Sequence, residues 1–487
     1  MKKLFQSAIF PFMVILSLTL SACGGSAATD TPAPPTEAAA TQPPAPAGPT
    51  FNIIGVVNRD AAQAAQSPSL SLDNANNLLI AWAENSSGGV RQIFASSLIG
   101  TDAFSPLGAS ANIHINVVAD SPSITIAGEN RAVPWLAWSE PSPGFGNVPQ
   151  IFASRFNAET GLWQQAGQDR GGGEASLNIA TNRAATHPFI TGGSTELGAP
   201  PVPWVAWEEV SDANPSSVQI FVAKGVKDDS GDPAVIGGFR WETVGQVKED
   251  SEQTLNVDRF RISAHPTVVF AETANSVPWV TWHETGRDRP SRIFTARGVA
   301  DPNSPGGFKW INVPPCGEDE ASCALNINPL NDAKDASMTA GSTVPGESTV
   351  PWIAWPEIGP NGKWQIFVSR LDTNTRNSFL QVGGSLNVDP NHDARTPIIV
   401  FVGNVPYVAW LEDDGTGKFE VQLRHLASDP QTGTWALDTP ANGFNLDPAL
   451  SNFNLAAAAS GDTLFLAWGE GDPASTASQM VIGAFRP

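Results

Sequence analysis

Residues 133–140 read VPWLAWSE, and close relatives of this octapeptide recur along the chain. The relatives are VPWVAWEE at 202–209, VPWVTWHE at 277–284, VPWIAWPE at 350–357 and VPYVAWLE at 405–412. Each copy alternates residues between two faces, which is the period of a β-strand. A strand that returns this often indicates a structural repeat and not a single active-site signature.

The anchor of the repeat is a Trp followed two positions later by a Glu, and it occurs at intervals of 55 to 75 residues. The Trp residues are Trp82, Trp138, Trp207, Trp282, Trp355, Trp410 and Trp468. The Glu residues are Glu84, Glu140, Glu209, Glu284, Glu357, Glu412 and Glu470. Seven copies favour structural roles: the Trp fills a core, and the Glu accepts hydrogen bonds from a turn or pairs with the next strand.

Two further features accompany each anchor. A polar residue, Gln in six copies and Arg292 in the fourth, opens an apolar stretch 10 to 12 residues after the Trp. An Asn precedes each anchor, and in five copies a Pro follows that Asn by ten positions. The Asn residues are Asn58, Asn112, Asn178, Asn256, Asn326, Asn387 and Asn445.

Each unit divides into four short strands separated by turn residues, as in the blade of a propeller. Over residues 51–487 the chain resembles seven-bladed β-propellers, in a repeat style similar to exported bacterial sialidase-like or kelch-like folds, but without their Asp-boxes. We therefore predict an all-β fold of seven four-stranded antiparallel blades. The seventh unit stops after three strands, and 51–72 aligns with 380–401, so the N-terminal strand should complete the last blade.

The first 50 residues are different in character. Residues 1–22 combine Lys2 and Lys3 with a short apolar segment, and the ending Leu-Ser-Ala before Cys23 resembles the bacterial lipobox. That resemblance implies a signal peptide over 1–22 and acyl chains on Cys23, whereas an ordinary secretory signal is the alternative. Residues 23–50 are rich in Pro, Ala and Thr and predict an extended tether. The chain is then a lipoprotein of a bacterial membrane, exported and extracytoplasmic.

Two cysteines remain, Cys316 and Cys323, with six residues between them. In an exported chain this spacing predicts a local disulfide. A zinc site is the weaker alternative, because no second Cys or His pair lies nearby.

Departures from the repeat are the places to look for function. The fourth unit has His283 where other copies have different residues, and Arg292 where they have Gln. This pair is a candidate ligand site, and locally varied surface residues are the alternative. The loop closed by the two cysteines carries Glu318, Asp319 and Glu320, which indicates either a solvated loop or a cation site.

A sialidase-type reaction would lack its Tyr nucleophile in this chain. The chain's one Tyr, Tyr407, occupies a position that is Trp in four other copies, and the Asp-box is missing. We therefore lean against an enzyme and predict a non-catalytic module that binds a glycan or protein ligand. A glycoside hydrolase or lyase that uses rim carboxylates is one alternative, and a structural envelope protein is another.

The net charge of −21 argues against nucleic acid as a partner, because such a field repels phosphate. We expect a monomer that uses no cofactor and no metal, and that reaches a membrane only through its lipid anchor.

Overall fold

The structure is a computed structural model, and it describes residues 48–128, 132–212, 214–246, 253–272, 274–286, 289–472 and 477–487. The predicted signal peptide, Cys23 and the predicted tether up to residue 47 lie outside the described residues. Residues 48–487 form one compact unit. In the described ranges we find strands and three short 3-10 turns, Pro143–Phe145, Pro305–Gly307 and Glu320–Cys323. None of the described segments is a helix of the length and apolarity that a membrane crossing requires.

The strands follow one another in short hairpins. In chain order they are β1 Thr50–Val56, β2 Ala65–Leu72, β3 Leu78–Asn85, β4 Arg91–Ile99, β5 Ala103–Pro106, β6 Asp120–Ala127, β7 Val133–Ser142, β8 Val148–Asn157, β9 Leu162–Gln165, β10 Gly167–Gln168, β11 Ala185–Gly193, β12 Val202–Val210, β13 Val218–Lys227, β14 Val235–Ile236 and β15 Phe239–Thr243. They continue as β16 Ile262–Ala271, β17 Val277–Thr285, β18 Arg292–Ala300, β19 Phe308–Asn312, β20 Ser337–Gly341, β21 Val350–Ile358, β22 Trp364–Leu371, β23 Phe379–Gln381, β24 Ala394–Val402, β25 Val405–Asp413, β26 Phe419–Leu426, β27 Trp435–Leu437, β28 Asn452–Ser460, β29 Thr463–Glu470 and β30 Gln479–Arg486.

These strands build four-stranded antiparallel sheets, which we call blades. In the described part of the chain, blades 1 to 7 are β2–β5, β6–β9, β11–β13 with β15, β16–β19, β20–β23, β24–β27, and β28–β30 with β1. One parallel bridge, Val218 to Ile262, links blades 3 and 4, and β10 pairs with β14 beside them. The first strand of each blade contacts the first strand of the next, and β28 contacts β2. The blades therefore form a closed ring, and the predicted all-β propeller is confirmed.

The ring closes through the N-terminal strand. β1 pairs antiparallel with β30, with Phe51 opposite Phe485, so the first strand of the chain is the outermost strand of the last blade. This closure was predicted from the missing fourth strand of the seventh unit. The strand begins at Thr50, one residue before the predicted domain boundary at residue 51.

The repeated Trp and Glu form one hydrogen-bonded unit, which we call the clasp. In blade 5, the indole N–H of Trp355 donates to Glu357 at 3.0 Å, and the amides of Ile327 and Asn328 donate to the same carboxylate at 2.8 and 2.7 Å. The other six copies repeat this arrangement with the two residues that follow the repeat Asn. The clasp fixes the loop that enters a blade to the second strand of that blade.

The repeat Asn joins that loop to the preceding blade. Asn326 accepts a hydrogen bond from the amide of Ile293 in blade 4, and its own amide group donates to the carbonyl of Asn331. Five other copies bond in the same way to the third strand behind them. In the seventh, Asn452 takes over this role by accepting from the Val421 amide. Each connecting loop is thereby bonded to the blade before it through the Asn and to the blade after it through the clasp.

The core lies between the blades. All seven anchor Trp side chains are 0% exposed, and the first Trp of the octapeptide is at most 1% exposed in the four copies that have it, Trp135, Trp204, Trp279 and Trp352. A side chain of this size buries about 150–250 Å². Near the axis, hydroxyl groups join neighbouring first strands: Ser69 accepts from the Ile124 amide, and Ser123 accepts from the Ile190 amide, both at 3.0 Å.

Removing one clasp carboxylate should destabilise the whole ring. We predict that Glu357→Ala lowers the free energy of unfolding by about 3 kcal/mol, because it leaves three buried donors without an acceptor. The measurement is urea unfolding, with Glu159→Ala as the matched control, since Glu159 is exposed and should change stability by less than about 0.5 kcal/mol. Equal midpoints for the two variants would contradict the clasp.

Candidate functional site

The first strand of every blade begins with the same irregularity. The residue nine positions after each repeat Asn has a positive φ of 44° to 55°. In six blades it lies in or beside a break in the strand register, and in blade 5 it lies between the isolated bridge of Ala333 to Glu357 and the start of β20. We call these seven positions the bulge ring: Ser67, Ser121, His187, His265, Asp335, Thr396 and Asn454. A positive φ is unfavourable for residues with a Cβ, so the surrounding sheet must hold each of them there.

The bulge ring surrounds one mouth of the central channel. The channel has a volume of about 620 Å³, and the first strands of all seven blades line it. All seven ring residues belong to that lining. The mouth lies on the face that carries the loops between second and third strands and the loops from one blade to the next. We call this side of the propeller the mouth face.

Two carboxylate–imidazole pairs lie side by side at the mouth. His187 Nδ1 is 2.5 Å from Glu208, and His265 Nδ1 is 2.8 Å from Asp335. The two imidazole rings are 4.6 Å apart between centroids. Glu208 also accepts from the Thr186 hydroxyl at 2.6 Å and from the His265 amide at 3.2 Å. Each ionised carboxylate can only accept, so both imidazoles donate through Nδ1 and direct Nε2 elsewhere.

A third imidazole lies behind these pairs. The backbone amide of Asp335 donates to His283 Nδ1 at 3.3 Å, so this nitrogen is an acceptor and the ring is neutral. The side chains of His187 and His265 are 47% and 44% exposed, whereas those of His283 and Glu208 are each 10% exposed. The solvent-facing groups are therefore two imidazoles, and the buried groups orient them.

The charges of this cluster follow from burial and pairing. Burial would raise the pKa of Glu208 and of Asp335, but hydrogen bonds and charges from the imidazoles outweigh this effect. The pKa of Glu208 is therefore lowered, and the pKa of Asp335 falls to about 2. Burial lowers the pKa of His283 to about 4. Burial would also lower the pKa of His265, but Asp335 and then Glu208 raise it above that of a free imidazole. Near neutral pH, His265 holds its proton more firmly than an isolated His.

The two candidate ligand residues of the fourth unit do not come together. His283 joins the mouth cluster, whereas Arg292 Nη1 is 2.5 Å from Glu320 in the disulfide loop. On paired strands, His283 lies opposite Ile293, and Arg292 lies opposite Glu284. Neighbouring positions of a strand face opposite sides, so the sheet directs these two side chains apart.

The disulfide loop forms a separate polar region on the mouth face. Cys316 and Cys323 are bonded, and the bond closes the loop that carries Glu318, Asp319 and Glu320. Glu320 contacts three guanidinium groups, those of Arg261, Arg289 and Arg292. No group of three or more His, Cys, Asp or Glu in the described ranges is arranged to hold a metal ion.

Sequence reasoning missed four residues of the cluster: His187, Glu208, His265 and Asp335. Two signals could have found them. One is the residue nine positions after each repeat Asn, and the other is the residue between Trp and Glu of each anchor. Both positions vary freely among the copies, yet consecutive units place acids and imidazoles there.

No protein-family model matches the chain, and no curated protein does. Solved structures resemble it in fold. An α-L-arabinanase from Penicillium chrysogenum is 8% identical with a TM-score of 0.46, and the match covers 89% of this chain and 97% of the other. The α-L-arabinofuranosidase Arb93A from Fusarium graminearum is 9% identical with a TM-score of 0.46, covering 90% and 97%. A Trypanosoma rangeli sialidase is 9% identical with a TM-score of 0.42, covering 84% and 69%.

These findings correct the prediction of a non-catalytic binding module. The named neighbours are enzymes. At the channel mouth of this chain, two carboxylates lie within hydrogen-bond distance of two imidazoles. At such low identity and TM-score, the neighbours do not indicate what this chain acts on.

Removing Asp335's charge should change how His265 titrates. We predict that Asp335→Asn lowers the pKa of His265, because it removes the hydrogen bond and charge that stabilise the imidazolium. An NMR titration can measure this, since the chain has only six His residues. Asp438→Asn is the matched control: Asp438 pairs with His425 outside the mouth and should leave His265 unaffected. An unchanged His265 titration in Asp335→Asn would contradict the pairing.

Proposed function

We propose that the chain is a glycoside hydrolase whose reaction takes place at the mouth of the central channel. The observation that carries this proposal is the pair of exposed imidazoles, His187 and His265, each oriented by a less exposed carboxylate. Hydrolysis needs one group that gives a proton and another that takes one, and neighbouring imidazoles with different carboxylate partners supply both.

The electrostatics assign the two roles. His265 keeps its proton because Asp335 and Glu208 stabilise the imidazolium, so it donates to the glycosidic oxygen as the bond to the anomeric carbon breaks. His187, held by Glu208, takes a proton from the attacking water. The water oxygen bonds to the anomeric carbon, and the products are a hemiacetal and an alcohol. Asp335 and Glu208 act as positioning residues.

The surroundings of the cluster suit a polyhydroxylated substrate. The remaining positions of the bulge ring carry Ser, Thr and Asn side chains, which donate and accept hydrogen bonds without a charge. The mouth is open on the face where the loops lie, which allows a chain of sugars to approach it.

His265→Ala should lower kcat at least about 100-fold, because general acid–base catalysis contributes about 10²–10⁴. The measurement is release of reducing ends from a panel of polysaccharides, together with the thermal midpoint, which shows that the variant is folded at the assay temperature. His392→Ala is the matched control, since it removes an imidazole that lies away from the channel lining.

Two results would contradict this assignment. One is full activity in His265→Ala. The other is a product with the ultraviolet absorbance of an unsaturated uronate, which would mean elimination by a lyase.

We also propose that the enzyme works outside the cytoplasm, tethered to a membrane by acyl chains on Cys23. The supporting features are the apolar segment, the small residues before Cys23 and the Pro-rich stretch after it. Cys23→Ser should then move the protein from the membrane fraction to the soluble fraction of cells. Retention of the variant in the membrane fraction would contradict the anchor.

A further inference from the structure

The uncharged half of the bulge ring forms a continuous arc. Thr396, Asn454, Ser67 and Ser121 belong to blades 6, 7, 1 and 2, which are consecutive around the closed ring. They face the acid–base arc of His187, His265 and Asp335 across the same mouth. The two arcs together divide the mouth into a reactive side and a side that can only form neutral hydrogen bonds.

The members of this arc differ in whether their side chains already form hydrogen bonds within the protein. Ser67 Oγ donates to Asp120 at 3.3 Å, and the Ser67 amide donates to Asn454 at 3.2 Å. By contrast, the hydroxyls of Ser121 and Thr396 form no hydrogen bond with another described residue, and both side chains line the channel. Both residues also have a positive φ, at the same position of the first strand of their blades.

Three basic side chains next to the bulge ring or its partners contact other groups. Arg91 pairs with Asp120. Lys334 lies over the Trp364 ring at 4.8 Å from its centroid, and Arg395 lies over the Phe419 ring at 3.6 Å. Among the described residues that line the channel, we find neither Lys nor Arg. Arg91 is thus paired with a carboxylate and Arg395 lies against an aromatic face, whereas the charge of Lys334 still acts on Asp335 and His265.

The carboxylates, in contrast, remain at the mouth. Glu208 and Asp335 both have lowered pKa values and are ionised near neutral pH, and Asp335 itself lines the channel. The imidazolium of His265 offsets one of these two charges, and the other adds to the net charge of −21 in favouring a field that repels anionic ligands. A carboxylated or sulfated sugar would meet this repulsion without a guanidinium or ammonium group to offset it.

We propose that the substrate is a neutral glycan, and that Ser121 and Thr396 hold hydroxyl groups of the sugar that enters the mouth. This inference rests on the proposed hydrolase function for the orientation of the sugar. The two residues determine specificity and take no part in proton transfer, because neither contacts the acid–imidazole pairs. Removing them should weaken binding and leave the chemical step intact.

The test is direct binding, so it does not depend on turnover. Isothermal titration would use the His265→Ala variant of the full chain, with neutral xylo-, arabino-, galacto- and gluco-oligosaccharides against oligogalacturonides and sulfated chondroitin oligosaccharides. We expect at least one neutral oligosaccharide to bind and the acidic ones to bind at least about tenfold more weakly. Binding of the acidic probes alone, or of no neutral probe, would overturn the inference.

Variants then locate the binding. In the same background, Ser121→Ala/Thr396→Ala should weaken neutral binding about tenfold, since each lost hydrogen bond contributes about 0.5–1.5 kcal/mol. The matched control, Ser105→Ala/Thr160→Ala, removes two hydroxyls from outer hairpins and should leave binding unchanged. Equal affinity in both double variants would overturn the assignment of Ser121 and Thr396, even if His265→Ala abolishes turnover as the hydrolase proposal requires.

Discussion

The propeller depends on a buried carboxylate that accepts three hydrogen bonds. Each clasp joins an indole N–H from its own strand to two amides of the incoming loop, as Glu357 does with Trp355, Ile327 and Asn328. Burying such a carboxylate without donors would be prohibitive. Burial indeed raises the pKa of Glu284 to about 7, even though all three donors are in place. The seven clasps, and the Asn contacts beside them, therefore explain why Trp, Glu and Asn repeat while their neighbours vary.

Because the clasp fixes each loop, the first strand of each blade always starts in the same geometry. The residue that follows the loop takes a positive φ at the bulge ring, and its side chain lines the channel mouth. The backbone cost of this conformation is of order 1–3 kcal/mol for a non-Gly residue. The rigid sheet meets that cost regardless of which side chain is present. Seven positions can therefore change chemistry without changing the fold, and blades 3 to 5 carry the acids and imidazoles.

The sequence revealed the fold more completely than the site, and the reason is physical. Burial and hydrogen bonding act alike in every blade, so Trp138, Glu140 and Asn112 have counterparts that can be aligned by eye. The missing fourth strand of the last unit likewise predicted that the N-terminal strand of the domain closes the ring. A site needs only one copy of each group, so no repetition marks it.

His283 was found because the fourth unit reads TWHE where other copies read AWxE, whereas His265 and Asp335 were missed. Their contact depends on the backbone bulge and on the order of blades around the ring, and periodicity contains neither. The pairing of His283 with Arg292 failed for a simpler reason. The two residues lie on hydrogen-bonded strands but on opposite faces of the sheet.

We infer that the channel mouth of this propeller is a site for glycan hydrolysis. A crystal structure of the His265→Ala variant with a neutral oligosaccharide that the protein cleaves would test this. We expect the scissile bond beside His187 and residue 265, with sugar hydroxyls on Ser121 and Thr396. A ligand bound outside the mouth, for example between Arg289 and the disulfide loop, would contradict it.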